Sequence, residues 1–179
     1  MSSGSPLGSR TSTCQTGAIQ TKKDIFAIWR SHRPPYVATV CSHEPADLAD
    51  KVERASKLHG PKLFLSLATC PTGWGFNPEL SDDVARLAID TGVWPLKEAV
   101  QGAVRHTLIP KRLRPVEEYL RPQRRFRHLF KPERQESTLK QIQDNVDAYW
   151  ANVKNGQREA ISTPSLAASK HPSREMNKR

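Results

Sequence analysis

Leu65-Ser66-Leu67-Ala68-Thr69-Cys70-Pro71-Thr72-Gly73-Trp74 is the stretch on which the reading of this chain turns. An apolar run ends here in a cysteine, and Pro71, Gly73 and Gly75 then force the backbone into a loop. Immediately upstream, Pro61-Lys62-Leu63-Phe64 extends the run into a strand of the kind covered on both faces. Tyr36-Val37-Ala38-Thr39-Val40-Cys41 has the same character. Between the two lies a helical pattern over residues 44–58, with Leu48, Val52, Ala55 and Leu58 on one stripe and Gly60-Pro61 as its stop. Strand, helix and strand in this order predict a βαβ unit with a parallel pair and a right-handed crossover. In open α/β sheets the chemistry gathers at the carboxyl ends of the strands, which is where Cys70 falls.

The totals narrow the class. The chain has 179 residues, of which 36% are hydrophobic and 14 are proline, enough for one domain with a core plus polar arms. No stretch approaches the roughly 18 apolar residues of a membrane span. Met1-Ser2-Ser3-Gly4-Ser5-Pro6 has neither a charged start nor an apolar core, so it does not read as a secretory signal. Three cysteines, Cys14, Cys41 and Cys70, stand far apart and in odd number, which argues against a disulfide framework and for a reducing, cytoplasmic setting. The net charge of +10, concentrated in residues 105–131 and in the last ten, suits nucleic acid, an acidic protein or an anionic cofactor equally well.

Outward from the βαβ unit, residues 1–21 read as an extended or flexible arm rich in Ser, Thr and Gly. Residues 22–30 form a short amphipathic helix with Ile25, Ile28 and Trp29 on one side. After the Cys70 loop, Asn77-Pro78-Glu79-Leu80 opens a helix whose stripe is Leu80, Val84, Leu87 and Ala88, capped by Gly92. Residues 104–109 are expected to be a strand of a hairpin turning near Gly102, and Pro115 to start another helix. Thr138 and Gln141 resemble a capping box for a last helix carrying Ile142, Val146, Tyr149, Trp150 and Val153. Gly156 should end it, and the Ser/Pro/Lys-rich residues 157–179 are expected to be disordered.

Several of these motifs recur together in one known group. Asp24-Ile25, Pro35 to Thr39, Gly60-Pro61, Ala68 to Trp74, Gly92 to Leu96, Pro115 to Leu120 and Arg125-Phe126 stand in the order seen in the β subunits of 2-oxoacid:ferredoxin oxidoreductases, the pyruvate synthase group. Over residues 2–129 the chain resembles the carboxyl-terminal half of such a subunit. The resemblance implies an α/β fold: part of the parallel sheet of a thiamine diphosphate-binding domain, then a basic carboxyl-terminal arm, one further helix and a disordered tail. Residues 1–21 would flank the thiamine pocket, 22–109 would complete the α/β domain, 110–135 would be the basic subunit-contact arm, 136–156 the helix and 157–179 the tail. The implied activity is oxidative decarboxylation of a 2-oxoacid, most simply pyruvate, with electrons leaving through iron–sulfur clusters and the acyl group passing to coenzyme A. The implied partners are α, γ and δ-type subunits or the missing amino-terminal half of the β subunit, together with ferredoxin. No membrane is involved.

Residue by residue, the resemblance makes Cys70 the fourth thiolate of a [4Fe–4S] cluster, whose other ligands lie outside this sequence. Ser2, Ser3, Gly4 and Ser5 would form a wall of the thiamine pocket. The family's Gly-Asp-Gly motif for Mg2+ and diphosphate has no counterpart here, so the chain reads as a fragment, a split gene product or a misplaced start. Alone, it is expected to hold no cofactor and to decarboxylate nothing. Read without the resemblance, Cys70 is a small buried hydrophobe; Cys41 and Cys14 are structural on either reading. His43, His106 and His128 lack triad or metal spacing. Two other functions fit the residues: a non-catalytic remnant of the subunit, and a basic nucleic-acid-binding module built on the arginines and aromatics of residues 105–131.

Overall fold

The computed structural model of the chain describes residues 5–11 and 17–156; Ser2, Ser3, Gly4, Cys14 and the tail 157–179 lie outside the described residues. Chain order is α1 (Ile25–Ser31), β1 (Tyr36–Cys41), α2 (Pro45–Ser56), β2 (Lys62–Leu67), α3 (Pro71–Trp74), α4 (Ser81–Asp90), β3 (Lys97–Val100), β4 (Ala103–His106), α5 (Val116–Leu120) and α6 (Glu136–Lys154), with 3-10 turns over Pro78–Leu80 and Arg124–Leu129. Among the described residues no helix is long and apolar enough to cross a membrane.

The βαβ unit forms as its pattern requires. β1 and β2 pair in parallel from Tyr36 opposite Lys62 to Cys41 opposite Leu67. The sheet is mixed rather than wholly parallel, in the order β2-β1-β3-β4, because the chain returns from α4 running against β1. Thr39 steers that return: its hydroxyl donates to the Pro95 carbonyl at 2.7 Å and accepts from the Lys97 amide at 2.9 Å. β3 and β4 make the hairpin expected at Gly102, with Gln101 and Gly102 both at positive φ, 48° and 85°. That is the backbone a two-residue turn needs to match strand twist.

β1 alternates strictly. Tyr36, Ala38 and Val40 meet Ala55 of α2 on one face. On the other, Val37 meets Phe26 of α1, and Cys41 meets Ala85 and Ile89 of α4. All six residues of β1 are buried. β2, expected to be equally covered, is not: none of its residues is fully buried. Among the described residues it stands at the end of the sheet, paired with β1 alone.

A second apolar cluster lies beyond the sheet. Phe76, Val84 and Ala88 pack with Val116, Tyr119, Leu120, Phe126, Leu129 and Leu139. Tyr119, Phe126 and Leu129 belong to the 110–135 segment expected to be a subunit-contact arm; their side chains lie at the centre of this chain's own core. Residues 8–10 likewise do not hang free. Gly8 donates to the Ala18 carbonyl at 2.7 Å, and the Arg10 amide to the Arg125 carbonyl at 2.9 Å. Gly8, at φ 77°, lies so close to Leu129, Thr138 and Ile142 that an added Cβ would come within 3.5 Å of each.

Smaller expectations shift with packing. α1 buries Phe26 and leaves Ile28 and Trp29 half-exposed. In α2 the fully buried side chain is Lys51, whose ammonium donates to the Thr39 carbonyl at 2.8 Å, whereas Val52 is 50% exposed. Leu80 precedes α4 and stays exposed. α6 begins at Glu136, so Thr138 lies inside the helix and the expected capping box is absent.

Candidate functional site at the end of β2

Cys70 follows β2 by three residues and is the N-cap of α3. Its Sγ accepts a hydrogen bond from the Gly73 amide at 3.2 Å. Glycine at 73 leaves the sulfur room, since a Cβ there would sit 3.2 Å from Sγ. The single helical turn closes with Gly75 in the left-handed region at φ 73°, its amide donating to the Pro71 carbonyl at 2.7 Å. The cysteine is exposed. It is not the buried hydrophobe that a lone cysteine usually is.

Cys41 shows the contrast. It ends the neighbouring parallel strand but is fully buried among Ala85, Ile89 and Leu96, and burial raises its thiol pKa above the ordinary value. Past it, His43 Nδ1 meets Asp82 of α4 at 2.7 Å, and Thr69 beside Cys70 donates to the Ser81 carbonyl at 3.2 Å. The first turn of α4 thus ties down the carboxyl ends of both parallel strands. His106, at the end of β4 and two strands across the sheet from β1, bonds Tyr149 at 2.7 Å.

The basic segment supplies what sequence spacing did not reveal. The Arg125 guanidinium lies 3.9 Å from the centre of the Trp74 ring, the last residue of α3. It donates to Gln123 Oε1 at 2.8 Å and to the Tyr119 hydroxyl at 3.3 Å, and no carboxylate among the described residues pairs with it. Burial lowers its pKa, a cost offset by stacking and the two neutral acceptors. Arg124 presses on Gly75, where a Cβ would come within 2.7 Å of its own. On the outer side of this contact, Arg121, Arg124, Arg127, Phe130 and Lys131 line a cleft of about 390 Å³. The Cys70 loop is therefore backed by positive charge.

One exposed thiol with an amide bonded to its sulfur is a suitable ligand for an iron–sulfur cluster, whose sulfurs are stabilised by such bonds. It is one ligand only. Among the described residues no group of three or more His, Cys, Asp or Glu side chains is placed to hold a metal. Ser5 is half-buried next to the docked segment 6–10; Ser2, Ser3 and Gly4 lie outside the described residues.

No family model matches the chain. Among curated proteins, it is 40% identical over 159 residues to pyruvate synthase subunit PorB of Methanosarcina barkeri, a match covering 86% of this chain and 53% of that protein. PorB of Methanocaldococcus jannaschii is 40% identical over 143 residues, 80% of this chain and 45% of that one. Ketoisovalerate oxidoreductase subunit VorB of Pyrococcus furiosus is 32% identical over 160 residues, 86% and 50% respectively. The chain spans about half the length of the curated relatives it matches. By this similarity, sustained across most of its residues, the chain belongs to the β-subunit family of the 2-oxoacid:ferredoxin oxidoreductases.

Proposed function

We propose that these residues serve as the carboxyl-terminal part of the β subunit of a thiamine diphosphate-dependent 2-oxoacid:ferredoxin oxidoreductase, and that Cys70 is one of four thiolates on a [4Fe–4S] cluster there. The observation that carries the reading is the exposed, amide-bonded Sγ at the carboxyl end of a parallel strand. Pyruvate is the favoured substrate because both of the 40% identical relatives are named for it, whereas the 32% identical one is named for ketoisovalerate. Coenzyme A, ferredoxin and α, γ and δ-type subunits complete the proposed assembly.

Within that assembly the work of these residues is positional. α3 fixes the position of Sγ, and Gly73 donates a hydrogen bond to it. Arg125, clamped on Trp74, keeps the loop in place and adds positive charge behind it. The cluster would supply one-electron transfer and the thiamine cofactor the carbon chemistry.

The test is Cys70→Ser in the assembled enzyme purified from its native source. The expected result is loss of one reduced [4Fe–4S] signal in the EPR spectrum and a matching fall in iron. An unchanged spectrum would mean that Cys70 is no ligand.

A further inference from the structure

The residues after α5 are spaced so that their side chains sort by chemistry. In the 3-10 turn Arg124–Leu129, three residues per turn bring positions i and i+3 into line. Phe126 and Leu129 share one edge, and both are buried in the core. Arg124 and Arg127 share another, and Phe130 continues that line as the turn ends. These three, with Arg121, Pro122 and Lys131, line the cleft of about 390 Å³. Its volume falls within the roughly 300–1,000 Å³ of small-molecule sites.

The lining carries four cations and no carboxylate. Of the four, Arg121 alone has an acidic partner among the described residues, Glu117 at 2.9 Å, and Glu117 is also bonded by Arg134. The neighbouring cleft, which shares Pro122, shows the contrast: there Arg86 is paired with Asp83 and Arg114 with Glu118. Like charges gathered without a counter-charge repel one another, and a bound anion removes that cost. Two of the arginines are already held in place. Arg124 lies against Gly75, where a Cβ would come within 2.7 Å of its own, and Arg121 is laid over the Phe130 ring at 4.7 Å. Guanidinium forks fixed in this way suit phosphate oxygens, which they bond in pairs. Half-buried Phe130 and Pro122 give an apolar floor beside them.

We propose that this cleft binds a nucleotide with two or more adjacent phosphates, the phosphates on Arg124, Arg127 and Lys131 and the base against Phe130. Three unpaired cations facing one space favour adjacent phosphates over a single one. A cleft of this size favours a small molecule over a nucleic-acid strand, which needs a groove that tracks its backbone.

The test is calorimetric titration of the full chain with ADP, with pyrophosphate and adenosine as separate probes. Saturable binding of ADP is expected, tighter than that of pyrophosphate by at least about fivefold, with adenosine alone too weak to detect. Arg127→Gln and Lys131→Gln, both at exposed positions, should each weaken ADP binding about tenfold without moving the melting curve. Phe130→Leu should weaken ADP but not pyrophosphate. Lys111→Gln and Arg112→Gln, equally exposed but outside the cleft, should change neither. Coenzyme A carries the same nucleotide group, and competition separates the two sources. Displacement of ADP by less coenzyme A than unlabelled ADP would assign the cleft to that substrate, and weaker displacement to a free nucleotide. Absence of saturable ADP binding, pyrophosphate binding as tightly as ADP, equal losses inside and outside the cleft, or a single-stranded oligonucleotide that outcompetes ADP would overturn the proposal. The titration needs no iron, so its failure leaves the reading of Cys70 untouched.

Discussion

Cys70 and Cys41 are the same side chain in opposite surroundings, and their reactivity should say so. In a Cys14→Ser background, a thiol reagent such as DTNB should modify one cysteine rapidly in the native chain, Cys70, and the second only after unfolding, because Cys41 is buried and its thiolate disfavoured. Two fast thiols, or none, would contradict the placement. Glu98 makes a different residue-level case. Its fully buried carboxylate takes bonds from Tyr36, from Arg54 at 3.1 Å and from Arg105 at 2.6 Å. Burial alone would raise its pKa, but those three donors together hold it below the ordinary value. A carboxylate depressed on folding stabilises fully above its unfolded pKa of about 4.3 and loses that contribution as the pH falls through the folded value. Glu98→Gln should therefore cost about 2–3 kcal/mol at pH 7. Urea unfolding should show the gap from wild type narrowing on acidification into that range; a gap independent of pH would sink the assignment.

At the scale of the element, the β3–β4 hairpin depends on two positive φ angles, only one of them held by glycine. Gly102 has open space where a Cβ would go, so Gly102→Ala meets backbone strain alone and should lose about 1 kcal/mol. Gln101→Asn, better suited to the left-handed region, should gain a few tenths of a kcal/mol. Thermal melts of the two variants should move in opposite directions; a shared direction would mean the turn is not the type described. The turn was legible because Gly102 is a local signal. The exposure of Val52 and burial of Lys51 were not, although both lie in the same well-marked helix. What decides them is which flank of α2 has a neighbour, and that depends on sheet order.

For the whole molecule, α6 is the clasp. Trp150 is buried and its indole N–H donates to the Gly92 carbonyl at 3.0 Å, joining the carboxyl end of the described chain to the turn after α4. A Cβ on Gly92 would fall 2.2 Å from Trp150 Nε1, at a φ of 74° that already disfavours side chains. Trp150→Ala should cost about 3–5 kcal/mol. Trp150→Phe, which keeps one aromatic ring but loses the pyrrole part of the indole and its donor, should cost less, about 2 kcal/mol. Denaturant titrations of the two would test the clasp; equal losses would mean that the hydrogen bond carries it, and negligible ones that α6 packs loosely. The same docking explains why residues 5–11 are laid down rather than free: Leu129, Thr138 and Ile142 form the surface that Gly8 meets.

The sequence by itself determined what depends on neighbours along the chain: the parallel β1–α2–β2 unit, the turns, and a cysteine set beyond a strand end. Apolar periodicity and Gly/Pro punctuation act over a few residues, so they can be read in one dimension. The antiparallel return of β3, the burial of Tyr119, Phe126 and Leu129 in the chain's own core, the cage of Glu98, and Arg125 stacked on Trp74 were decided only by the tertiary structure. Each joins groups distant in sequence, through contacts and charge pairing that leave no periodic trace. β2 stands between the two: its composition specifies a covered strand, and only the three-dimensional arrangement shows that, among the described residues, it pairs on one side alone.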